Sequence, residues 1–265
     1  MSRSILALLF AAVCAVGCAT VPGTGRAQLN VFSPSEEAAM GFEAYQDQLA
    51  QSKVVQSGKQ RTMVKQIGAR IAEQADRLYP DNTATFEWQF ELLDEPGIVN
   101  AWALPGGKAA VYTGLLPITQ SETGLAVVMG HEVAHALARH GGERMTQATF
   151  MNAGLDLVAA LAGDTEAGSG KDIALQALGI GSQLGSLAFG RSHESEADEI
   201  GLMLMAHAGY DPREAVKLWE RMGAMGGERP PEWLSTHPSE STRIQRLQKL
   251  MPKAMKIYKK TTGAN

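Results

Sequence analysis

Val64, Ile67, Ile71, Ala75 and Leu78 recur at intervals of three and four residues. That is the repeat of one helical face, and it predicts an amphipathic helix from about Gly58 to Leu78. An earlier helix opens at Ser33, where a capping residue, Pro34 and Glu36 supply start signals, and runs to about Ser52. Tyr79 to Asn82 stops the second helix. The period then changes. Phe86 to Leu92 alternates apolar and polar positions, as a half-buried strand does. A turn at Glu95–Gly97 leads to a second strand over Ile98–Leu104, Pro105–Gly107 forms a hairpin loop, and Lys108–Thr113 is a third strand.

Beyond the strands the chain returns to helical patterning. One helix spans about Ser121 to His140 and is stopped by Gly141 and Gly142. Residues 143–190 read as two Ala/Leu/Gly-rich helices around a flexible linker at 163–170, with Gly181 and Gly185 spaced for close helix packing. A further helix starts near Arg191 with Ser192 as N-cap and reaches about Gly209. Asp211 and Pro212 begin the next, which ends at Gly223–Gly227. A loop over 228–238 precedes a final amphipathic helix from Ser239 to about Lys256. The expected fold is mainly α with a small β-sheet (α+β), about three strands lying beside the Ser121–His140 helix.

Composition narrows the class. With 265 residues, 45% hydrophobic and 20% charged, the chain can bury one sizeable core. A net charge of −4 without a polybasic stripe gives no footprint for nucleic acid. Sparse aromatics and twelve methionines suggest an Ala/Leu/Met-packed helical interior. At the N-terminus, Arg3 precedes an apolar run from Ile5 to Val16 that is too short to span a bilayer, as is the run 155–162. Ala15-Val16-Gly17-Cys18 resembles a bacterial lipobox. This gives the expected organisation: a lipoprotein signal peptide at 1–17, a lipidated Cys18 and tether over 18–33, a single domain over 34–258, and a tail at 259–265. The alternatives are a plain secretory peptide or an uncleaved anchor. Residues 19–30 carry Pro22, Gly23 and Gly25, which break any helix. Cys14 is lost with the signal peptide, so no disulfide forms within one mature chain.

The chemistry sits in His131-Glu132-Val133-Ala134-His135, an H-E-x-x-H motif in an apolar helical context. Residues four apart lie one turn apart on one helical face, so two imidazoles can hold one metal ion while Glu132 stands beside it, placed to take a proton from a water. A catalytic site takes three protein ligands, and the third is expected in the stretch after Arg191. Glu194 and Asp198 share a helical face there, so Glu194 is the expected ligand and Asp198 the carboxylate that orients a ligand histidine. Glu196 lies about 200° round the helix from Glu194 and, like Glu199, reads as a solvated helix start. His193, about 100° from Glu194, His140, a cation at a helix end, and His207 read as histidines without a role in the site.

The two motifs, with Gly130-His131 through His140-Gly141 and Glu194 through Gly201, are similar to peptidase family M48, a gluzincin family. They look most like its bacterial periplasmic branch, which is related to the mitochondrial inner-membrane protease of the same family. Asn100-Ala101-Trp102 through Gly107 and Val111 through Leu116 resemble the family's strand pair above the active site, and Ser235-Thr236-His237-Pro238-Ser239 resembles its T-H-P segment. The likeness covers roughly residues 35 to 250.

The resemblance implies a zincin-like metallopeptidase that binds one zinc ion per chain through His131, His135 and Glu194, with Glu132 as general base. Substrate would add as a strand along Asn100, Ala101 and Trp102, with Trp102 either contacting it or packed in the core. His237 would stabilise an oxyanion, occupy the metal's open position, or cap the final helix, and Arg243 would pair with Asp198 or substrate or lie on a solvated helix face. The partners implied are unfolded or misfolded envelope proteins, the outer-membrane protein assembly machinery, and a membrane reached through the lipid on Cys18. Ala19 after that cysteine favours the outer membrane facing the periplasm. Two rivals are a chaperone-like binding module whose zinc site is blocked by His237, and a structural envelope lipoprotein whose motif is fortuitous.

Overall fold

The computed structural model describes residues 18–162, 189–224 and 242–264, together with Ile173, Leu178, Trp233 and His237. The signal peptide, the 163–170 linker, Gly181, Gly185 and Ser239 lie outside the described residues. In chain order the elements are strands β1 (Cys18–Thr20) and β2 (Ala27–Leu29), helices α1 (Pro34–Gln51) and α2 (Lys59–Leu78), strands β3 (Gln89–Leu93), β4 (Ala101–Leu104) and β5 (Lys108–Tyr112), and helices α3 (Glu122–Leu137), α4 (His140–Ala162), α5 (Arg191–His207), α6 (Glu214–Ala224) and α7 (Arg243–Thr262). The fold is mostly helical with a small three-stranded sheet, as the pattern implies, and adds a two-stranded hairpin at the N-terminus. Among the described residues no helix is long and apolar enough to cross a membrane.

The sheet has the order β3-β5-β4. Its centre, β5, is buried along its whole length; it pairs parallel with β3 (Gln89↔Lys108 to Leu93↔Tyr112) and antiparallel with β4 (Ala101↔Val111 to Leu104↔Lys108). The Pro105–Gly107 turn closes the β4–β5 hairpin as expected. The first strand starts at Gln89 rather than Phe86, because the chain ahead of it pairs with the hairpin turn: Glu87 N–H donates to Gly106 and Gln89 N–H to Gly107. The second starts at Ala101 rather than Ile98, whose N–H closes the preceding turn on Glu95.

Helix starts follow their sequence signals unevenly. Ser33 and Glu36 form a reciprocal capping box at α1, satisfying two orphan amides. Ser192, by contrast, is inside α5; Gly190 occupies the N-cap, its carbonyl accepting from Glu194 N–H. After Tyr79 the chain makes one helical turn, Pro80–Thr83. The last helix runs past Lys256 to Thr262, through Pro252, so most of the expected tail is helical.

The metal-motif helix ends earlier than predicted, at Leu137. Arg139, with φ +57°, makes a left-handed turn, and α4 begins at His140 with Gly141 and Gly142 inside it. The two glycines do not stop a helix. A Cβ on Gly142 would sit 2.0 Å from Glu37 Oε1, so the missing side chain admits the Glu37 carboxylate, which holds Arg139 at 2.7 and 3.0 Å. That ion pair supports a backbone conformation arginine seldom adopts.

Residues 19–30 are not a free tether. β1 and β2 pair antiparallel from Cys18↔Leu29 to Thr20↔Ala27, Val21 is buried in the main core, and Arg26 reaches the carboxylates of Glu143 and Glu196. A short polar segment docks because it brings one apolar anchor and one cation that two buried acids require.

At the centre lies α3. Every residue from Gly124 to Leu137 is buried, so it reads as hydrophobic all round, the signature of a helix enclosed on every side. It packs against α2, β4, α5 and α6. Its closest partner is α5, and the crossing point is Gly130 on Gly201: a Cβ on Gly201 would lie 2.8 Å from the Gly130 backbone. We expect Gly201→Ala to force the helices apart and cost about 1–3 kcal/mol as an overpacking change, read as a lower midpoint in denaturant unfolding. Gly223→Ala, at a position with open space, should leave the midpoint unchanged or slightly raised.

Candidate metal centre

The α3–α5 crossing brings the two sequence motifs face to face beside the glycines. His131 and His135 project from α3, and Glu194 comes from the first turn of α5. His237 enters from the far end of the chain. Single donor atoms from His131, His135, Glu194 and His237 lie within 4.8 Å of one another. All four residues are at most 3% exposed.

The spacings test whether a metal fits. His131 Nε2 lies 3.0 Å from His135 Nε2 and 3.3 Å from His237 Nδ1. Glu194 Oε1 lies 3.3 Å from His135 Nε2 and 2.9 Å from His237 Nδ1, and Oε2 lies 3.5 Å from His131 Nε2. Tetrahedral ligands at ordinary zinc bond lengths stand about 3.3 Å apart. The set is therefore the right size, and its three imidazoles and one carboxylate are donors zinc takes. Its electrostatics agree. Burial raises the Glu194 carboxyl, but His237 and His131 outweigh it and hold the group well below the usual range, so it stays ionised. Burial also drives His135 well below its ordinary value, which keeps it neutral. Burial pulls His131 down too, yet Glu194 and Asp198 prevail and raise it to about 9. Glu194 and Asp198 thus supply negative charge beside the point where the donors meet.

The supporting residues largely stand where the sequence puts them. Asp198 Oδ1 is 3.2 Å from His131 Nδ1, the contact that orients a ligand histidine. Arg243, from the first turn of α7, is 1% exposed rather than on a solvated face. It donates to Asp198 at 2.5 Å and to Glu194 at 3.0 Å, with its guanidinium 3.4 Å over the Trp219 ring. Of the three alternatives read for it, the pair with Asp198 is the one formed.

Glu132 is buried beside the donors. Its Oε1 accepts from Trp233 Nε1 at 2.8 Å and lies 3.4 Å from His237 Nε2. Trp233 is a residue the sequence reading missed. Its ring stacks on Trp219, and its backbone N–H donates to Val99 O just ahead of β4, so Trp233 itself is tied to the chain entering that strand. Its signal was present, a tryptophan four residues before His237 in a Pro-bounded segment.

β4 is an edge strand lying against α3, which leaves one side without a strand partner among the described residues. Asn100 is 8% exposed and its Oδ1 accepts from Ala101 N–H; Ala101 is buried. Trp102 is half-buried, edge-on to Tyr45 at 6.1 Å and 3.4 Å from the Tyr112 hydroxyl. Its side chain packs, while its backbone stays on the edge.

Three residues read as incidental are part of a buried cluster behind His135. His140 is 0% exposed, is pushed down to about 4 by burial, and so is neutral rather than a helix-end cation. Glu196 is not solvated: it pairs with His140 and Arg26. His193 pairs with Glu143, which also pairs with Arg26. The signal available was a repeated H-x-x-E spacing, His140 to Glu143 and His193 to Glu196, each pair sharing a helical face. The pairs cross between helices instead of closing within one.

Burial raises both Glu143 and Glu196, but histidine and Arg26 partners prevail and hold each at about 2. A carboxyl depressed on folding contributes stability that is present above its ordinary value near 4.5 and is lost as pH falls through the folded value. We therefore expect the denaturant midpoint of the metal-free chain to fall between about pH 4.5 and pH 2. Arg26→Met should lower the midpoint above that window and flatten the slope within it.

Comparison with known proteins agrees with this arrangement. The model for peptidase family M48 matches residues 58–251. Mitochondrial metalloendopeptidase OMA1 of Schizosaccharomyces pombe is 33% identical over 239 residues, 88% of this chain and 66% of its own. The Arabidopsis thaliana protein of the same name is 41% identical over 174 residues, 65% of this chain and 34% of its own. The Beta-barrel assembly-enhancing protease of Escherichia coli K12 is 28% identical over 233 residues, 85% of this chain and 46% of its own. The chain thus spans between a third and two thirds of the length of these relatives.

Proposed function

The chain belongs to peptidase family M48, and from that premise we propose that it is a zinc-dependent metalloendopeptidase of the cell envelope. The observation that carries the reading is the convergence of His131, His135 and Glu194 donor atoms, with the Glu132 carboxylate alongside. His131, His135 and Glu194 would hold one zinc ion. When bound, zinc supplies a Lewis acid that acidifies water and polarises the scissile carbonyl. Glu132 takes the proton of the attacking water and returns it to the leaving amine. Asp198 fixes the His131 ring, and Arg243 neutralises Asp198 and the second oxygen of Glu194.

Substrate would pair with the free side of β4 at Asn100, Ala101 and Trp102, through backbone hydrogen bonds that read little side-chain identity. Extended, unfolded chains suit that mode. Likeness to the Escherichia coli relative extends the proposal to misassembled envelope proteins and outer-membrane assembly as the setting. Lipidation at Cys18, where β1 begins, would hold the domain on the periplasmic face of the outer membrane.

A second reading is a latent enzyme or a chaperone-like binder. It is favoured by His237 Nδ1, which lies among the metal donors rather than outside them. With His237 Nδ1 in that set, His131, His135, Glu194 and His237 would together supply four donors to a bound ion, and withdrawal of His237 would free a position for water and substrate.

We expect the wild-type full chain to bind about one zinc and to cleave casein. Glu132→Gln should retain the metal and lose about 10²–10⁴-fold in rate. His237→Ala should cleave faster than wild type; a slower rate would assign His237 to the oxyanion instead. Zinc binding without cleavage by any variant would move the chaperone-like reading ahead.

A further inference from the structure

Each ligand histidine needs a partner on its second ring nitrogen, and the two in the motif find different ones. His131 Nδ1 faces the Asp198 carboxylate directly. Among the described residues, His135 Nδ1 has no carboxylate partner. It lies 2.9 Å from Nδ1 of His140, whose Nε2 lies 3.1 Å from Glu196 Oε2. Glu196 in turn accepts from Arg26 Nε at 2.8 and 3.0 Å and from the Thr24 hydroxyl at 3.0 Å.

The polarity of this chain has one consistent solution. His135 Nε2 points at the other donors, so its proton sits on Nδ1 and is donated to His140. His140 must then accept at Nδ1, which places its own proton on Nε2, facing an ionised carboxylate. Beside it runs a second arm: His193 stacks on His140 at 4.5 Å and meets Glu143 at 3.0 Å, and Arg26 grips Glu143 at 2.7 and 3.0 Å. One guanidinium therefore closes both arms. It belongs to the β1–β2 hairpin, more than a hundred residues from either acid.

We propose that His140, Glu196 and Arg26 position the metal ligand His135, so that docking of the N-terminal hairpin sets how tightly the site holds its metal. His140 extends the reach of Glu196 by one ring. Arg26 touches no metal donor and acts through the acids alone. The assignment rests on the metallopeptidase reading, because it concerns the site where that metal would bind. It also couples the segment starting at Cys18 to the centre: displacing the hairpin withdraws Arg26 and frees Glu196 to turn from His140.

The test uses the full chain, with zinc affinity measured by competition against a chromogenic chelator and ligand geometry read from the visible spectrum of the cobalt-loaded protein. His140→Phe keeps the stack on His193 but removes the acceptor and should weaken zinc roughly 10–100-fold. His140→Gln, whose amide oxygen can accept from His135 and whose NH₂ can donate to Glu196, should recover much of that loss. Arg26→Met should weaken zinc in the same direction and shift the cobalt bands, although it lies outside the donor set. Wild-type affinity and an unchanged spectrum in His140→Phe would overturn the proposal. So would a loss in His140→Gln as large as in His140→Phe. If the Phe variant fails to fold, Arg26→Met decides: wild-type affinity and unchanged cobalt bands in that variant would overturn the proposal. A wild-type chain that binds no zinc would instead overturn the metallopeptidase reading beneath it.

Discussion

Everything at the centre depends on two helices meeting without side chains between them. Gly130 on α3 and Gly201 on α5 let the backbones touch, and only at that separation can the nearby donors on each helix reach a common point. The requirement is unusually strict because neither helix can be moved alone. α3 is enclosed by α2, β4 and α6 as well, and closely packed interiors do not accommodate an added methyl by gradual expansion. The position of Glu194 relative to His131 and His135 is therefore set by the core, not by the ligands' own attraction.

Such a core has to bury charge, and among the described residues it does so by facing acids with arginines. Glu194 and Asp198 face Arg243, Glu37 faces Arg139, and Glu143 and Glu196 face Arg26. Buried ions are costly when one partner is missing and nearly neutral when all are present. Each arginine comes from an element remote in sequence from its acids: the final helix, the α3–α4 turn, and the N-terminal hairpin. The ion pairs thus work less as sources of stability than as conditions that must all be met, which ties the ends of the chain to its middle.

Much of this was legible in the sequence, and the division between what was and was not is physical. Periodicity located α2, which has one face that must be apolar; start signals located α1, turn residues the β4–β5 hairpin, and an unbroken apolar context α3. The spacing within α3 and α5 picked out His131, His135, Glu194 and Asp198, since a helix converts spacing into direction. Two kinds of feature escaped. One is local backbone geometry set by tertiary partners: the left-handed turn at Arg139 looks like a helix continuing to Gly141 until Glu37 is placed beside it. The other is pairing between helices. Glu196 looks solvated and His140 and His193 look incidental along their own helices; with Glu143 they become a buried cluster only when α4 and α5 are brought together with Arg26.

The same distinction explains why the two ends of the chain look dispensable and are not. Residues 19–30 are short, polar and broken by Pro22, Gly23 and Gly25, so nothing in their own pattern requires order. They order because Val21 and Arg26 each satisfy something the core leaves open, an apolar pocket in one case and two acids in the other. His237 and Trp233 follow the same logic from the C-terminal side. Trp233 gives its indole proton to Glu132 and its amide proton to Val99, and His237 completes a donor set that α3 and α5 begin. A centre assembled this way has a rigid half, fixed by helix crossing, and a half contributed by segments that dock. Docked segments can leave at smaller cost than packed helices can separate, which is why the proposed coupling runs through the hairpin and not through the helix crossing.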